Sequence, residues 1–450
     1  MPTMDERELE RRKRRAQKRR KRRLLRKIVR ILIIAIALTL LIGLGFLIKG
    51  LLNKDNEEPE NNDVPVMDQD IEIEIPDPAP VTATILSGGD IILHSPFLSS
   101  NKFLQADGTY NFHDIFRFIK DDYAAADFTV MNLELTINDG VYSGYPIFRA
   151  PASIVTALKD SSVDMCLIAN NHIYDNGDHG FYCTLDALDE HNMVTLGGRR
   201  DAHAKDYVIQ DINGIKVGFM NYVYATGSAG NLMINAIPVN NETAPLINTF
   251  TYDNLEDLYS RIESNLSEME TAGVDYTIAY IHWGNEYQLT ESSAQREIAA
   301  ALCDLGVDAL IGGHPHVVQP VDLLTSTDNS HQMICLYSVG NHLSNQHREF
   351  MDSMPSGHTE DGLMSRLTIE KDHEGNVKLI ASDVIPTWVY RTPNTTHPEY
   401  FVFSLEDESV VTEAGDLNIG ADYTQSLERT NTIIGDGVTK IQNALPLSIN

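Results

Sequence analysis

Cysteine is scarce in this chain, which has four such residues among 450. None of them shows Cys-x-x-Cys spacing, and all lie within apolar strand-like or helix-like segments; they are Cys166, Cys183, Cys303 and Cys335. This pattern disfavours a disulfide framework. We therefore expect buried free thiols.

Basic residues are scarce after Lys49. That part of the chain holds 60 Asp or Glu against 19 Lys or Arg, a net charge of about −41. Such a charge disfavours nucleic acid as a partner. A solvated acidic surface is the ordinary interpretation, and affinity for cations or repulsion of an anionic polymer product are the alternatives.

The N-terminal residues have the opposite charge and are followed by a long apolar run. Residues 1–30 hold 15 Lys or Arg, and residues 31–48 are apolar apart from Thr39, Gly43 and Gly45. Eighteen residues at about 1.5 Å per residue span roughly one hydrocarbon core. The pattern predicts a basic cytoplasmic arm (1–30) and one transmembrane helix (31–48), with the rest of the chain outside the cell membrane. A cleaved signal peptide and a basic nucleic-acid-binding arm are the alternatives.

The remaining chain divides into three parts by composition. Residues 49–80 form a linker rich in acidic residues and proline, residues 81–391 alternate strand-like and helix-like patterns, and residues 392–450 form a polar tail that we expect to pack only peripherally. The predicted strands are 81–87, 128–133, 163–169, 206–210, 215–222, 276–282, 309–312, 333–339, 364–369 and 377–384. The predicted helices are 112–126, 153–159, 179–190, 254–272 and 292–305. Strands 333–339, 364–369 and 377–384 are expected to be consecutive and antiparallel. The order predicts an α/β layered domain.

Polar side chains follow five successive strand-like runs. These residues are Asp90, Glu134, Asn171, His282 and His314. Each has an ordinary structural explanation when taken alone, such as a turn, a cap or a core histidine. Because ligands bind outside the carboxyl ends of strands in α/β sheets, the five together indicate one site. The His314-Pro315-His316 loop favours a metal, since imidazole and carboxylate groups are common metal ligands.

These segments resemble the poly-γ-glutamate capsule biosynthesis protein CapA family. The resemblance covers about residues 81–345 and is carried by Ser87-Gly-Gly-Asp90, Asn132-Leu-Glu134, Ala169-Asn-Asn-His172, His282-Trp-Gly284, Gly312-Gly-His-Pro-His-Val317 and Tyr337-Ser-x-Gly-Asn341. It implies a fold similar to calcineurin-like metallophosphoesterases, of the α/β (α+β) class, with a four-layer β-sandwich flanked by helices. Members are mostly bacterial, and many are membrane-anchored and face outward.

The resemblance also implies residue roles. One or two divalent metal ions (Mn, Fe, Zn or Mg) would be held by Asp90, Glu134, Asn171, His282, His314 and His316. His172 would be the general acid that protonates the leaving group. Two departures leave a one-metal or a degenerate site open: Ile92 replaces the histidine of the phosphoesterase Asp-x-His motif, and Glu134 replaces the usual bridging Asp.

Five further residues are candidates for contacts with the metal ligands or with the substrate. Asp175 and Glu286 could accept hydrogen bonds from ligand imidazoles, Glu286 from His282. Arg149 is a candidate anion clamp. His94 shares strand parity with the missing histidine, and Asn341 is expected to shape a loop.

Three functions stay open at this point. The first is a membrane-anchored, outward-facing protein of anionic surface polymer production with a metal-dependent hydrolase site, acting on a phosphoester or on a γ-glutamyl polymer. The second is a non-catalytic assembly or export factor that retains a structural metal or a polymer-binding site. The third is a surface metallophosphatase unrelated to capsule. Expected partners are the membrane, the anionic polymer or phosphoester substrate and other membrane subunits of capsule synthesis.

Overall fold

The computed structural model describes residues 79–228 and 230–449. The predicted basic arm (1–30), the predicted transmembrane helix (31–48) and residues 49–78 of the predicted linker lie outside this described part. Among the described helices, none combines the length and the apolar character that crossing a bilayer requires.

Two large β-sheets dominate the described residues. The nine-stranded sheet contains Val81–Ile91, Phe128–Leu133, Met165–Leu167, Val194–Leu196, Asn341–Leu343, Asp361–Lys371, Val377–Arg391, Tyr400–Ser404 and Leu447–Ile449. The seven-stranded sheet contains Tyr207–Ile212, Ile215–Tyr224, Thr249–Phe250, Tyr276–His282, Ala309–Gly313, Val321–Thr325 and Gln332–Leu336. Two short strand pairs complete the set: Thr136–Ile137 with Arg149–Ala150, and Met233–Ile234 with Ile237–Pro238.

Helices connect the strands and cover the outer faces of the sheets. The α-helices are Ser95–Ser99, Lys120–Ala125, Ser153–Asp160, Gly177–Glu190, Leu255–Thr271, Ser293–Leu305, Ser409–Glu413 and Gly420–Ala444. The 3₁₀ turns are His113–Phe116, Ala244–Leu246, Tyr252–Asn254, His358–Glu360 and Gly415–Leu417. Ser292 begins the helix Ser293–Leu305 with a capping box, in which its hydroxyl accepts from Gln295 N and the Gln295 side chain accepts from Ser292 N.

Alternating side chains place the two sheets face to face. Ile85 of the nine-stranded sheet shares a buried cluster with Phe219 and Ile278 of the seven-stranded sheet. The neighbouring residue Leu86 points the other way, into a cluster with the helices Ser153–Asp160 and Gly177–Glu190. The other face of the seven-stranded sheet packs against the helices Leu255–Thr271 and Ser293–Leu305. The result is a sandwich of two sheets between helices, as the resemblance implied.

Most predicted elements are present in the structure, but one predicted helix is broken. The strands Phe128–Leu133 and Tyr276–His282 have the predicted bounds. The segment 112–126, predicted as one helix, forms a 3₁₀ turn at His113–Phe116 and an α-helix at Lys120–Ala125. Its apolar residues recur at helical spacing and are buried. Between the two pieces, however, the backbone forms 3₁₀-type hydrogen bonds to the residue three positions earlier, such as Ile119 N to Phe116 O.

One predicted strand belongs to a different sheet from its expected partners. Gln332–Leu336 runs parallel to Ala309–Gly313 and antiparallel to Val321–Thr325 in the seven-stranded sheet. The next two strands, Asp361–Lys371 and Val377–Arg391, do pair antiparallel, but in the nine-stranded sheet. Alternation of apolar residues indicates a strand and its two faces, but it does not determine which strand pairs with it. The change of sheet was therefore not predicted.

The polar tail from residue 392 is part of the fold, so the expectation that it packs only peripherally is wrong. Tyr400–Ser404 is a buried strand that pairs with Val377–Arg391. Gly420–Ala444 is a long helix packed on Val321–Thr325, and a Cβ atom at Gly437 would lie 1.8 Å from Val321 O. Gly437 permits this close approach because it has no Cβ atom.

Candidate metal centre

The polar strand ends meet at one edge of the sandwich. Asp90 is the next-to-last residue of Val81–Ile91, and Glu134 and Asn171 follow the next two parallel strands of the nine-stranded sheet. His282 is the last residue of its strand in the seven-stranded sheet, and His314 follows the neighbouring parallel strand. Hydrogen bonds join the two sheets below this edge, between Ser87 Oγ and Tyr280 OH at 2.7 Å and from Ala169 N to Asn221 Oδ1 at 2.9 Å. The five strands therefore divide three and two between two sheets, and the site lies where the sheets face each other.

Glu134 lies at the centre of two groups of potential metal ligands. Asp90, Glu134 and His316 offer ligand atoms within 4.8 Å of one another, and so do Glu134, His282 and His314. His282 Nε2 is 3.6 Å and His316 Nε2 is 3.7 Å from Glu134 Oε1, while His316 Nδ1 is 3.2 Å from Asp90 Oδ2. The predicted residues are thus brought together, with one carboxylate common to both groups.

Asn171 joins the second group through His282. Its Oδ1 atom is 2.7 Å from His282 Nε2, with the imidazole N–H donating in the tautomer that protonates this nitrogen. The amide oxygen therefore lies beside the nitrogen that faces Glu134. This position suits a further oxygen ligand for the second group.

Three buried polar atoms in these groups have no hydrogen-bond partner. They are both carboxylate oxygens of Glu134, which is 0% exposed, and Nδ1 of His314. Leaving a buried polar atom unpaired costs about 1–3 kcal/mol, and more for a charged group. A divalent cation would satisfy these atoms, and a mixed carboxylate–imidazole donor set suits Mn, Fe or Zn. The residues present therefore fit the implied metals.

The pKa values of these groups reflect the same burial. Burial and then the negative charge of Asp90 raise the pKa of Glu134 well above its ordinary value. Burial lowers the pKa of His282 to about 3 and holds the pKa of His314 well below the ordinary value. Burial opposes ionisation of Asp90 too, but the hydrogen bond and charge of His316 outweigh it and lower the Asp90 pKa. His282 and His314 are consequently neutral at physiological pH, as ligating imidazoles must be.

The loop that carries the two later histidines adopts an unusual backbone. His314 has φ +97° and His316 has φ +57°, a region that non-glycine residues rarely occupy. Such residues cost of order 1–3 kcal/mol and cluster at ligand sites. Gly313, just before them, leaves room for Asp90, because a Cβ atom there would lie 3.0 Å from Asp90 Oδ1. The backbone is therefore held in a shape that aims both imidazoles at Glu134.

Two asparagines that the sequence analysis did not assign to the site hold Asp90 in place. Asn132 Nδ2 donates to Asp90 Oδ1 at 2.7 Å, and Asn170 Nδ2 donates to Asn132 Oδ1 at 3.1 Å and to Leu133 O at 2.8 Å. Asn170 Oδ1 in turn accepts from His172 N at 3.2 Å. Both asparagines are buried within the clusters that gave Glu134 and Asn171, and that adjacency was the available signal.

Asn341 has a larger role than shaping a loop. Its Oδ1 atom is 3.1 Å from His316 Nδ1, and its Nδ2 atom donates to His316 O, Gln346 Oε1 and Thr359 O. The amide is fully buried and fixed by these bonds. It therefore orients the His316 ring toward Asp90 and Glu134.

His172, the predicted general acid, is oriented by Asp175. The Asp175 Oδ2 atom accepts from His172 Nδ1 at 2.8 Å and from Phe148 N at 2.8 Å. The Phe148 ring packs edge-on against His172, with ring centres 4.6 Å apart. Asp175 was expected to support a ligand imidazole, and it supports the neighbouring general-acid candidate instead. Its bond leaves Nε2 as the ring nitrogen of His172 that is free to meet a substrate.

The other three candidates lie around these groups. His94 is in neither donor group; its Nδ1 accepts from Asn345 N at 3.1 Å, and its ring packs edge-on against Phe148. Burial, followed by the charges of His316 and His172, lowers the His94 pKa to about 3. Glu286 is exposed, so the expected bond from His282 is replaced by the one to Asn171. Arg149 Nε donates to Asn176 Oδ1 at 2.9 Å, and its role as an anion clamp stays a prediction.

The chain is similar to two curated proteins of capsule production. It is 26% identical over 266 residues to the capsule biosynthesis protein CapA of Bacillus anthracis, covering 58% of this chain and 60% of that protein. It is 24% identical over 280 residues to the PGA biosynthesis protein CapA of Bacillus subtilis (strain 168), covering 60% of this chain and 65% of that protein. The chain thus aligns with less than two thirds of the length of either relative.

The family comparison spans more than half of the chain. The family described as bacterial capsule synthesis protein PGA_cap matches residues 84–346, which include all six predicted ligands and His172. The resemblance that the motifs indicated is confirmed: the chain belongs to the bacterial capsule synthesis protein PGA_cap family.

Proposed function

We propose that this chain is a CapA-like protein of anionic surface polymer production, in particular of poly-γ-glutamate capsule, and that its site is a metal-dependent hydrolase site. The observation that carries the metal part is the pair of donor groups that share the buried, unpartnered Glu134. The polymer part rests on the family and on the printed names of the two relatives.

Each side chain has a role in this proposal. Asp90 and His316 would hold one divalent cation, Asn171, His282 and His314 a second, and Glu134 would contact both. Bound there, the cations would polarise a phosphoryl or carbonyl oxygen and activate a water for attack. Asn132 and Asn341 orient Asp90 and His316, so that the donor atoms keep their separations when substrate enters.

His172 supplies the proton for the leaving group in this scheme. Its Nδ1 atom is bonded to Asp175, so a proton on Nε2 is the one available to a leaving oxygen or nitrogen. Phe148 packs against the ring and limits water on that side. A structural metal site has no need for such a histidine–carboxylate pair, and this favours catalysis over a purely structural metal.

The proposed location is the outer face of a bacterial membrane. Support comes from the sequence alone: the basic residues 1–30 and the apolar run 31–48. Protease added to intact cells should then remove the described domain and spare an N-terminal tag. Exposure of the N-terminal tag on intact cells would contradict this topology.

Metal content and hydrolysis together test the proposed activity. The full chain, purified in detergent, should contain Mn, Fe or Zn, and should hydrolyse either a p-nitrophenyl phosphoester or poly-γ-glutamate. His172→Ala should retain the metal and lose most of the hydrolysis, since general acids contribute about 10²–10⁴-fold. A metal-free protein, or turnover unchanged in His172→Ala, would contradict the proposal.

A second candidate is a non-catalytic assembly factor. The observation that favours it is Ile92, a buried residue at the position where phosphoesterases supply a histidine, so that the first donor group has three members. In that case His172→Ala should leave polymer output of the cell unchanged, while Glu134→Gln should reduce it. Equal loss of polymer in both variants would favour the hydrolase.

A further inference from the structure

Cys183 differs from the other three cysteines. Cys166, Cys303 and Cys335 are buried within apolar clusters, whereas Cys183 is half-buried on the helix Gly177–Glu190. The expectation of a buried thiol is therefore wrong at this position. Since apolar packing does not account for Cys183, its polar neighbours are of interest.

The neighbours of Cys183 are two further metal-binding side chains. His179 precedes it by one helical turn, and Asp139 comes from the loop that follows Thr136–Ile137. The three residues offer a sulfur, a nitrogen and an oxygen within 4.8 Å of one another. Helical spacing alone brings His179 and Cys183 together, but the carboxylate arrives from about forty residues earlier in the chain.

The separation of the sulfur and nitrogen atoms fits a tetrahedral cation. Both ring nitrogens of His179 lie 3.7 Å from Cys183 Sγ. Zinc bonds of about 2.3 Å to sulfur and about 2.0–2.1 Å to nitrogen, at a tetrahedral angle, place the two ligand atoms about 3.6 Å apart. A rotation of the exposed His179 ring about its side-chain bonds would turn one nitrogen lone pair toward the sulfur, without a shift of the helix.

The loop that carries Asp139 is fixed to the same helix. Ile137 N donates to Thr184 Oγ1 at 2.9 Å, and Thr184 is the residue after Cys183. The next residue, Asn138, donates its N–H to Ala150 O at 3.1 Å. These bonds hold the backbone of the two residues before Asp139, so the fold brings the exposed Asp139 close to the helix.

We infer that Asp139, His179 and Cys183 form a second metal site for a zinc-type divalent cation. It is separate from the site described above, the strand-end centre, which consists of Asp90, Glu134, Asn171, His282, His314 and His316. Thiolate with imidazole selects zinc over magnesium or calcium, which prefer oxygen ligands. Binding releases the thiol proton to solvent and forms the metal–sulfur bond. With three protein ligands and an exposed position, a water completes the coordination.

Cobalt reports on this site separately from the strand-end centre. The six strand-end ligands contain no sulfur, and the other cysteines are buried, so a thiolate-to-cobalt charge-transfer band arises from Cys183 alone. The full chain in detergent, titrated with Co²⁺, should develop this near-ultraviolet band. Cys183→Ser should abolish it, and His179→Ala should weaken it. Asp189→Asn, which removes a charge on the same helix outside the cluster, is the control and should retain the band.

Alkylation of Cys183 by iodoacetamide gives a second measurement. With Zn²⁺ at ten times its dissociation constant, mass action leaves about one site in eleven free, so labelling should slow about tenfold. The protection should disappear in His179→Ala and persist in Asp189→Asn. Absence of the cobalt band, its persistence in Cys183→Ser, or labelling that zinc does not slow would each overturn the site. None of these results depends on hydrolase activity.

Discussion

The strand-end centre and the Asp139–His179–Cys183 cluster gather metal-binding side chains in opposite ways. At the strand-end centre the donors come from strands of two sheets, are buried, and leave Glu134 without a hydrogen-bond partner. At the cluster two donors come from one helix and one from an adjoining loop; Asp139 and His179 are exposed, and Cys183 is partly buried. The first arrangement costs free energy when no cation is bound, because buried polar atoms are unpaired. The second costs little, since water satisfies its atoms.

The two sites also differ in how ready they are to bind a cation. The folded sandwich holds the strand-end donors together whether or not a cation is present. At the cluster, a cation binds only after the Cys183 thiol has lost its proton. A cation should therefore stabilise the fold strongly at the first site and weakly at the second.

The largest expected effect is that of Glu134→Gln. Loss of the shared ligand should lower metal affinity at the strand-end centre by more than the about 10–100-fold that removal of an outer partner causes. The folded-state pKa of Glu134 is raised by burial and by Asp90, so its stabilising contribution is present at low pH and lost as pH rises through that pKa. When both proteins are free of metal, the variant should thus be more stable than the wild type at neutral pH, by on the order of 1–3 kcal/mol.

Thermal unfolding in EDTA and with added Mn²⁺, over a range of pH, checks this. Glu286→Gln is the matched control, because Glu286 is exposed near the same site. If Glu134→Gln still gains stability from Mn²⁺ as the wild type does, Glu134 is not a shared ligand. The cobalt band of Cys183 should be unchanged in both variants.

The second prediction concerns pH. Burial lowers the pKa of His282 to about 3, so its imidazole should stay neutral in the metal-free chain down to about pH 4. Loss of metal on acidification should then follow protonation of Glu134, and not protonation of the buried imidazoles near pH 6 as ordinary histidine behaviour suggests. Histidine ring NMR of the metal-free protein measures this; a His282 ring that gains its proton near pH 6 would contradict it.

The cysteine cluster should show a different pH profile. Burial and then the charges of Asp139 and Asp186 raise the pKa of the Cys183 thiol. The cobalt band should therefore grow as pH rises from 7 to 9, because the thiol proton must leave. A cobalt band that does not change with pH in this range would contradict a raised pKa of the Cys183 thiol.

The fourth prediction is a moderate effect of Asn132→Ala. Its amide donates to Asp90 Oδ1 at 2.7 Å, and loss of such an outer partner typically costs about 10–100-fold in metal affinity. Calorimetric titration with Mn²⁺ should show a weakened first equivalent and a second equivalent closer to wild type. Asn101→Ala, at an exposed position, is the control, and equal weakening of both equivalents would show that Asn132 acts on more than Asp90.

The smallest expected effect is that of Thr184→Val. The substitution keeps the shape of the side chain and removes the acceptor for Ile137 N. The buried N–H is then unpaired, which costs about 1–3 kcal/mol of stability. The loop with Asp139 should loosen, and the cobalt band should need more metal to saturate. Metal binding at the strand-end centre should not change; if it does, the two sites are not separate.

The sequence predicted the strand-end centre better than the layers around it. Alternating apolar runs followed by Asp, Asn or His identified the strands, and parallel strands bring such residues to one edge. The division between two sheets was not readable from the runs themselves and came from the resemblance. The packing of the tail was underestimated because Gly435 and Gly437 weaken the helical pattern of its sequence. The tertiary contact with Val321 that requires Gly437 is not visible in the local sequence.

Side-chain partners were the least predictable part. Asp175 was expected to accept a hydrogen bond from a metal ligand, and it bonds to His172. Glu286 was a candidate to accept a hydrogen bond from His282, and it is exposed. Asn132 and Asn170 stood within the motifs, but nothing local indicates that an amide donates to Asp90. Such contacts depend on distances between strands, which spacing along the chain does not encode.

The nine-stranded sheet also fixes how this domain can be attached to anything else. Val81 pairs with Lys371, Lys371 with Val377, and Val377 with Ile449, so both ends of the described domain lie at one end of the sheet. Asp90 lies nine residues further along the first strand, about 30 Å away. A bead, a surface or a fused protein joined at either end would therefore lie at the opposite end of the first strand from the edge that carries the candidate metal ligands.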